Sequence, residues 1–468
     1  MGFIMKIKLK NLGALEQAEF EIGDLTIICG ANNTGKTYAA HAVYGFFDFL
    51  KNASGFSIEQ TILDELLSVG SVQIELNRYG DDLKNQIKRL AKQYSGELYR
   101  VFAGTKKLFK NSQLNMEISP TIKFDYQKRI KMKFGSYKKQ ILQIESTGNG
   151  QILEASLIVA DKDELPPIHI ISDMIEDAVR EAVFGSLIPK PFLASAERTG
   201  AVIFQKELDF TRNRLIDLLS NRESRLTSIK LLGKFKGEYP IAVRKNVDFI
   251  REIPNIKNIE SYILKNHPEI LNSFTEIIGG EYFISKDDEI KYVPKGNKRI
   301  KLALVESSSA VRSLLDIGFY LRHIAQKGDL LMVDEPELNL HPTNQRRVAR
   351  IFAQLINIGI KVFITTHSDY IIKELNTLIM LNQNKPYLKR IADNEKYSDN
   401  ELLSANKVKV YITQENSILK ESNVRKTRCL TLVPTDVSQE LGIEIESFDK
   451  TIDEMNRIQE AIVWGEDG

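Results

Sequence analysis

Two cysteines, Cys29 and Cys429, are all that the 468 residues contain, and neither belongs to a Cys-x-x-Cys pair. A disulfide framework is thereby excluded, and a reducing, cytoplasmic compartment is the expectation. No uncharged apolar run is long enough to cross a bilayer, so no membrane role is expected. The opening residues, MGFIMKIKLKNLG, alternate and carry lysines, without the apolar core and small-residue cleavage site of a signal peptide. A large charge excess is missing too: a net charge of +2 neither demands nor excludes a nucleic-acid partner. Apolar a/d heptads nowhere persist for several repeats, which excludes a long coiled coil.

What is present is the composition of a soluble globular protein, 43% apolar and 27% charged. The length suffices for one large α/β domain with insertions, or for about two to three ordinary domains. The organising stretch is Gly30 to Thr37, GANNTGKT, set between an apolar run, Leu25 to Cys29, and a helix-like segment beginning near Tyr38. Glycines at both bends, a strand before and a helix after make it a phosphate-binding loop. Such a turn aims backbone N–H groups and the positive end of a helix dipole into one concavity. The candidate nucleotide-binding residues are Gly30, Asn32, Asn33, Thr34, Gly35, Lys36, Thr37 and Tyr38. Lys36 is expected to reach the β- and γ-phosphates, and Thr37 to place its hydroxyl on Mg²⁺.

Strand-like alternation over residues 3–10, 18–22 and 25–29 delivers this loop, and residues 38–50, apolar all round, are expected to pack beneath it. His41 in that segment has no partner motif nearby and reads as a core histidine. In 121–144, Lys123, Arg129, Lys131 and Lys133 interleave with apolar residues, the pattern of a hairpin with one basic face. That face is either a phosphate-backbone contact or an edge protected by lysines. After helix-like residues 170–190, PFLASAERTG is a short strand running into Glu197 and Arg198. Arg198 is either a sensor near the nucleotide or a salt-bridge partner. Residues 205–275 are mainly helical and basic, with Pro254 and Pro268 as breaks, and 281–305 give two or three short strands.

Two further signals lie downstream. Leu330 to Val333 is a buried strand ending in Asp334 and Glu335, with Pro336 fixing the turn. The chemistry of nucleotide hydrolysis asks for two carboxylates there: Asp334 to hold Mg²⁺ through its water shell and Glu335 to polarise the attacking water. A second apolar strand, Lys361 to Thr365, runs into His367, placed to hydrogen-bond the γ-phosphate. Between the loop and these strands, ESSSAVRSL opens a helix with Ser307 and Ser308. Serines there are first of all caps, and they also offer donors to a facing phosphate.

The order GANNTGKT, ESSSAVRSL, LLMVDEPELNLHP, FITTHSD resembles the ABC-type ATPases of the SMC-like and overcoming-lysogenisation-defect group. In that family these are the Walker A loop, the signature helix, the Walker B strand with its D-loop, and the switch histidine. The resemblance implies an α/β P-loop NTPase of ABC/SMC-head type, with a mixed central sheet, an antiparallel β-lobe and helical insertions. It implies a homo-oligomer of heads that hydrolyses ATP with Mg²⁺ when two copies sandwich the nucleotide. Ser307 and Ser308 would then act in trans, with Asn339 and His341 at the seam. The head is expected over 1–50 and 190–380, with an inserted helical and hairpin arm at 51–190 and a helical subregion at 205–280. Residues 385–468 would form an α/β extension suited to partner docking. They contain no Glu-Gly-x-x-Glu and Asp-x-Asp pair and no His-Asn-His cluster. The chain is similar to the stand-alone ATPases of anti-phage modules such as Septu and PARIS, which implies a separate effector, a nuclease or toxin, as partner. The other readings are a DNA-repair ATPase and a scaffold that uses ATP structurally.

Overall fold

The computed structural model describes residues 5–52, 58–81, 83–118, 131–136, 139–147, 150–158, 165–185, 187–204, 239–297, 299–419, 426–444 and 446–464. The chain divides into two compact units. One comprises Met1–Ile7, Gly45–Gly96 and Leu114–Lys190, and the other Lys8–Tyr44, Glu97–Gln113 and Pro191–Gly468.

Three strands, β1 (Met5–Leu12), β2 (Leu15–Ile22) and β3 (Leu25–Cys29), precede the helix Lys36–Asn52. The smaller unit is built around an antiparallel sheet in the order β4 (Ser71–Glu75), β8 (Ile152–Leu157), β7 (Lys139–Thr147), β6 (Lys131–Ser136). Its helices, among them Gln60–Val69, Leu83–Ser95 and Ile168–Phe184, bury one apolar face each. β5 spans Gln113–Ile118. Of the basic hairpin read from the sequence, β6 and β7 pair antiparallel and Lys131 meets Glu145 at 3.3 Å. Lys123 and Arg129 lie outside the described residues.

The larger unit carries a six-stranded sheet in the order β16 (Lys426–Thr435), β15 (Val408–Leu419), β3, β14 (Lys361–Thr366), β13 (Leu330–Asp334), β9 (Pro191–Ala194). Neighbours from β15 to β9 are parallel, and β16 is antiparallel to β15, so the sheet is mixed. β3 and β13 are buried at every position. Their runs LTIIC and LLMVD are continuous rather than alternating because helices cover both faces of a parallel sheet. Phe352, Leu375 and Ile379 of the helices Pro342–Asn357 and Asp369–Leu381 join Leu331, Val333 and Ile364 in one core cluster. A separate antiparallel sheet, β10 (Gly280–Ile284), β11 (Ile290–Pro294) and β12 (Leu302–Ala303), supplies the β-lobe.

The expected boundaries change in three places. β15 pairs along β3 from Val408↔Leu25 to Ile412↔Cys29, so residues after 380 complete the central sheet rather than forming an appendage. Residues Glu97–Gln113 belong with the larger unit, not with the arm. Pro254 does not break its helix: it sits in the last turn of Ile241–Ile256, whereas Pro268 does start a new one, Pro268–Ile278. Residues 205–238 of the helical subregion lie outside the described residues.

Candidate functional site

Parallel pairing brings the chemistry to one end of the sheet. Cys29 pairs with Thr366 and Asp334 with Thr365, so the residues after β3, β13 and β14 emerge side by side. The loop after β3 needs unusual backbone: φ is +134° at Gly30, +62° at Asn33 and +89° at Gly35. A Cβ on Gly30 would lie 2.2 Å from Thr413 Oγ1 of β15, a separation no side chain tolerates. Thr34 Oγ1 lies 2.6 Å from the same hydroxyl and 2.7 Å from Ala31 O, which holds the loop closed from its outer side.

Lys36 is buried, and its ammonium donates to Gly30 O at 2.9 Å and Ala31 O at 2.7 Å. Burial lowers its pKa, while Glu335 and Asp334 pull the other way. Thr37 Oγ1 donates to Asp334 Oδ1 at 3.2 Å, and Thr365 Oγ1 donates to that same oxygen. Asp334 Oδ2 lies 3.4 Å from His41 Nε2, with neither atom completing a hydrogen bond. Burial pushes the Asp334 pKa up, and the contacts with His41, Thr365 and Thr37 outweigh it, leaving the carboxyl below its ordinary value. Glu335 has φ +51°, and its N–H donates to Thr365 O at 3.0 Å, which locks the turn. Burial, with Asp334 beside it, raises the Glu335 pKa. His367 Nδ1 is 3.9 Å from Glu335 Oε1 and 3.2 Å from Glu337 Oε1. Glu337 is itself buried and accepts from Thr366 Oγ1 at 2.9 Å and from His367 N at 2.8 Å.

The sequence matches the AAA ATPase domain family over residues 3–372. This chain belongs to that family. No curated protein matches it. Among solved structures it is similar to the Smc head domain with an extended coiled coil bound to the C-terminal domain of ScpA from Pyrococcus furiosus. That likeness has 13% identity, covers 98% of this chain and 100% of that one, and has a TM-score of 0.33. The SmcHead bound to the C-winged helix domain of ScpA follows at 12% identity, with 93% and 98% coverage and a TM-score of 0.32. The SMC head domain from Thermotoga maritima has 11% identity, 93% and 100% coverage and a TM-score of 0.28.

Within this AAA ATPase domain the donor set suits a nucleotide with Mg²⁺. The Thr37 hydroxyl and Asp334 carboxylate are hard oxygen donors held together, and among the described residues Asp334 Oδ2 is buried without a hydrogen bond and the Lys36 ammonium donates to its own loop's carbonyls.

Other sequence-picked residues fall elsewhere. Arg198 is fully buried: Nε donates to Ser313 O at 2.6 Å, Nη1 to Ser195 O and Asp334 O at 2.8 Å, and Nη2 to Glu335 O at 3.0 Å. Four of its five N–H donors are spent on backbone carbonyls, so it braces the turn after β13 against the helix Ser309–Ser313, the structural of the two roles its sequence position offered. Tyr38 packs its ring on Phe102 at 4.6 Å, and Phe102 stacks on Phe109 at 5.4 Å, which places Tyr38 in an aromatic stack. Ser307 is buried and donates to Leu304 O at 2.6 Å, whereas Ser308 is exposed and caps the helix through Val311 N at 3.3 Å. His341 caps the helix Pro342–Asn357, and Asn339 is exposed with φ +61°. His41 and Glu337 were missed. His41 follows Thr37 by four residues on one helix, the spacing that puts both on one face, and that signal was available.

Proposed function

We propose that this AAA ATPase domain is a Mg²⁺-dependent ATP hydrolase whose heads pair around ATP and whose assembly governs a separate effector, a nuclease or toxin, in bacterial anti-phage defence. The observation that supports the catalytic part is the convergence of Lys36, Thr37, Asp334, Glu335 and His367 at adjacent strand ends. Lys36 turns from the carbonyls of Gly30 and Ala31 to the β- and γ-phosphates, a short move for a flexible stem. Thr37 and Asp334 would hold Mg²⁺, which would neutralise phosphate charge. Glu335, with its raised pKa, accepts the proton of the attacking water. His367, fixed by Glu337, faces the γ-phosphate.

Ser308, exposed at the start of its helix, is the donor offered to a second copy, and Ser307 supports it from inside. The effector part is supported by the motif order and by the helix Glu446–Trp464, where Met455, Ile458, Ile462 and Val463 are exposed.

Glu335→Gln tests the catalytic part: it is expected to stop turnover and to accumulate an ATP-bound dimer, while the wild type hydrolyses steadily. A wild-type chain that binds ATP but never hydrolyses it, with or without DNA, would favour the structural-ATP scaffold. Co-purification of a nuclease encoded beside this chain tests the effector part.

A further inference from the structure

Away from the nucleotide site, the larger unit contains a cavity of about 280 Å³ beneath the signature helix. Phe274 of Pro268–Ile278, Tyr282 of β10, and Gly318, Phe319, Arg322 and His323 of the signature segment line it. Three rings form a continuous wall: Tyr282 stacks on Phe319 at 5.5 Å and 29°, and Phe319 on His323 at 5.7 Å and 20°. Gly318 is required at the base, because a Cβ there would sit 2.8 Å from both Phe274 Cε1 and Tyr282 Cε2. Such a wall accepts a flat ring better than an aliphatic chain.

Besides His323, Arg322 and Lys257, the polar lining includes Asn258, Thr275 and one carboxylate, Glu281. His323 is buried, and its Nδ1 lies 2.8 Å from Ile259 O. A carbonyl only accepts, so Nδ1 carries the proton and Nε2 is left as an acceptor. No protein group among the described residues hydrogen-bonds that Nε2, and burial keeps the ring's pKa below its ordinary value. Arg322 is exposed at the rim, and its guanidinium makes no hydrogen bond or ion pair among the described residues. The other lining cation, Lys257, is paired with Asp288 at 2.7 Å.

We propose that this cavity binds a small heteroaromatic anion, a one- or two-ring compound whose ring N–H donates to His323 Nε2 and whose carboxylate or phosphate arm meets Arg322. The volume lies just below the range of about 300–1,000 Å³ typical of drug-sized ligands, which suits a ring system and not a whole nucleoside triphosphate. The site is placed to matter. Its walls Gly318 to His323 continue the helical segment that Ser308 caps. That segment contains one π turn, Ala325 N–H to Tyr320 O at 2.9 Å, a local irregularity common at functional sites.

Calorimetric titration of the nucleotide-free full chain tests this independently of ATP turnover. The probes are indole-3-acetate, naphthalene-1-acetate, which lacks the N–H, and indole, which lacks the anion. Indole-3-acetate is expected to bind about tenfold more tightly than either, the ratio one hydrogen bond or charge contact supplies. His323→Phe should erase the difference between the two acetates, and Arg322→Glu the preference for the acetate over indole. In the wild type, the ¹⁵N resonance of His323 Nε2 should shift on adding indole-3-acetate while Nδ1 stays still, a readout that survives if His323→Phe does not fold. Equal binding of all three probes, no binding at millimolar concentration, or an unmoved Nε2 resonance would overturn the proposal.

Discussion

His41 Nε2 stands 3.4 Å from Asp334 Oδ2, and both side chains are buried. Oδ1 accepts from Thr37 and Thr365, and the imidazole stands against the other oxygen, which limits the carboxylate's rotation. Groups behind a metal ligand typically govern about 10–100-fold in metal affinity. His41→Phe is therefore expected to raise the Mg²⁺ concentration needed for half-maximal nucleotide-dependent turnover by about tenfold or more. An unchanged Mg²⁺ titration would reduce His41 to packing.

Arg198 ties Ser313 O of the signature helix to Asp334 O and Glu335 O. Arg198→Met would remove the side-chain donors to Ser313 O and Asp334 O, while Glu335 O keeps the Leu338 N–H at 3.2 Å, and a loss of about 3–5 kcal/mol in unfolding free energy is expected. Arg198→Lys keeps the charge but cannot span three segments at once. Its expected signature is a lower kcat with nearly unchanged ATP affinity, since the turn carrying Glu335 loosens while the phosphate loop is intact. Equal losses in both parameters would contradict a positioning role.

These two residues show what the sequence could and could not disclose. The grouping of Lys36, Thr37, Asp334, Glu335 and His367 at one sheet end was legible from local patterns: the first two close a glycine loop between a buried strand and a helix, and the other three end or follow buried strands. Arg198 also follows a strand, but whether its guanidinium points to ligand or to backbone depends on Ser313, 115 residues away in sequence. The place of β15 beside β3 was hidden for the same reason: parallel pairing leaves no turn signature to read. The mixed α/β class and the antiparallel β-lobe came from the resemblance that the motif order carries, whereas the short strands of 281–305 were legible in the residues themselves.

Asp316 is fully buried, neither of its oxygens has a hydrogen bond among the described residues, and burial raises its pKa from 3.8 to about 7, with Arg198 opposing. An acid with a raised folded-state pKa is protonated in the fold while ionised in the unfolded chain. Its contribution to stability is therefore full below the unfolded value and declines as pH rises from about 4 to about 7. Asp316→Asn should raise Tm at pH 8 and bring a smaller gain, or none, at pH 4.5. An identical change in Tm at both pH values would contradict this.

Gly30→Ala should impair nucleotide binding through two faults, the +134° φ and the collision with Thr413 Oγ1. Thr413→Ala, added to Gly30→Ala, is expected to recover part of the lost affinity, the rest staying with the backbone strain of about 1–3 kcal/mol. No recovery would mean that β15 does not support the loop.

If, as proposed, a second copy of the chain completes each ATP site, two inactive variants should rescue each other when mixed. Lys36→Ala removes one half of the site, and Ser308→Arg blocks the other. In a mixed dimer one site contains both faults and its twin contains neither, as two-fold symmetry requires. Each variant alone is expected to be inactive, and a one-to-one mixture should regain about a quarter of wild-type ATPase activity per chain, because half of the dimers are mixed and each has one of two sites intact. A mixture as inactive as its components would contradict the shared site.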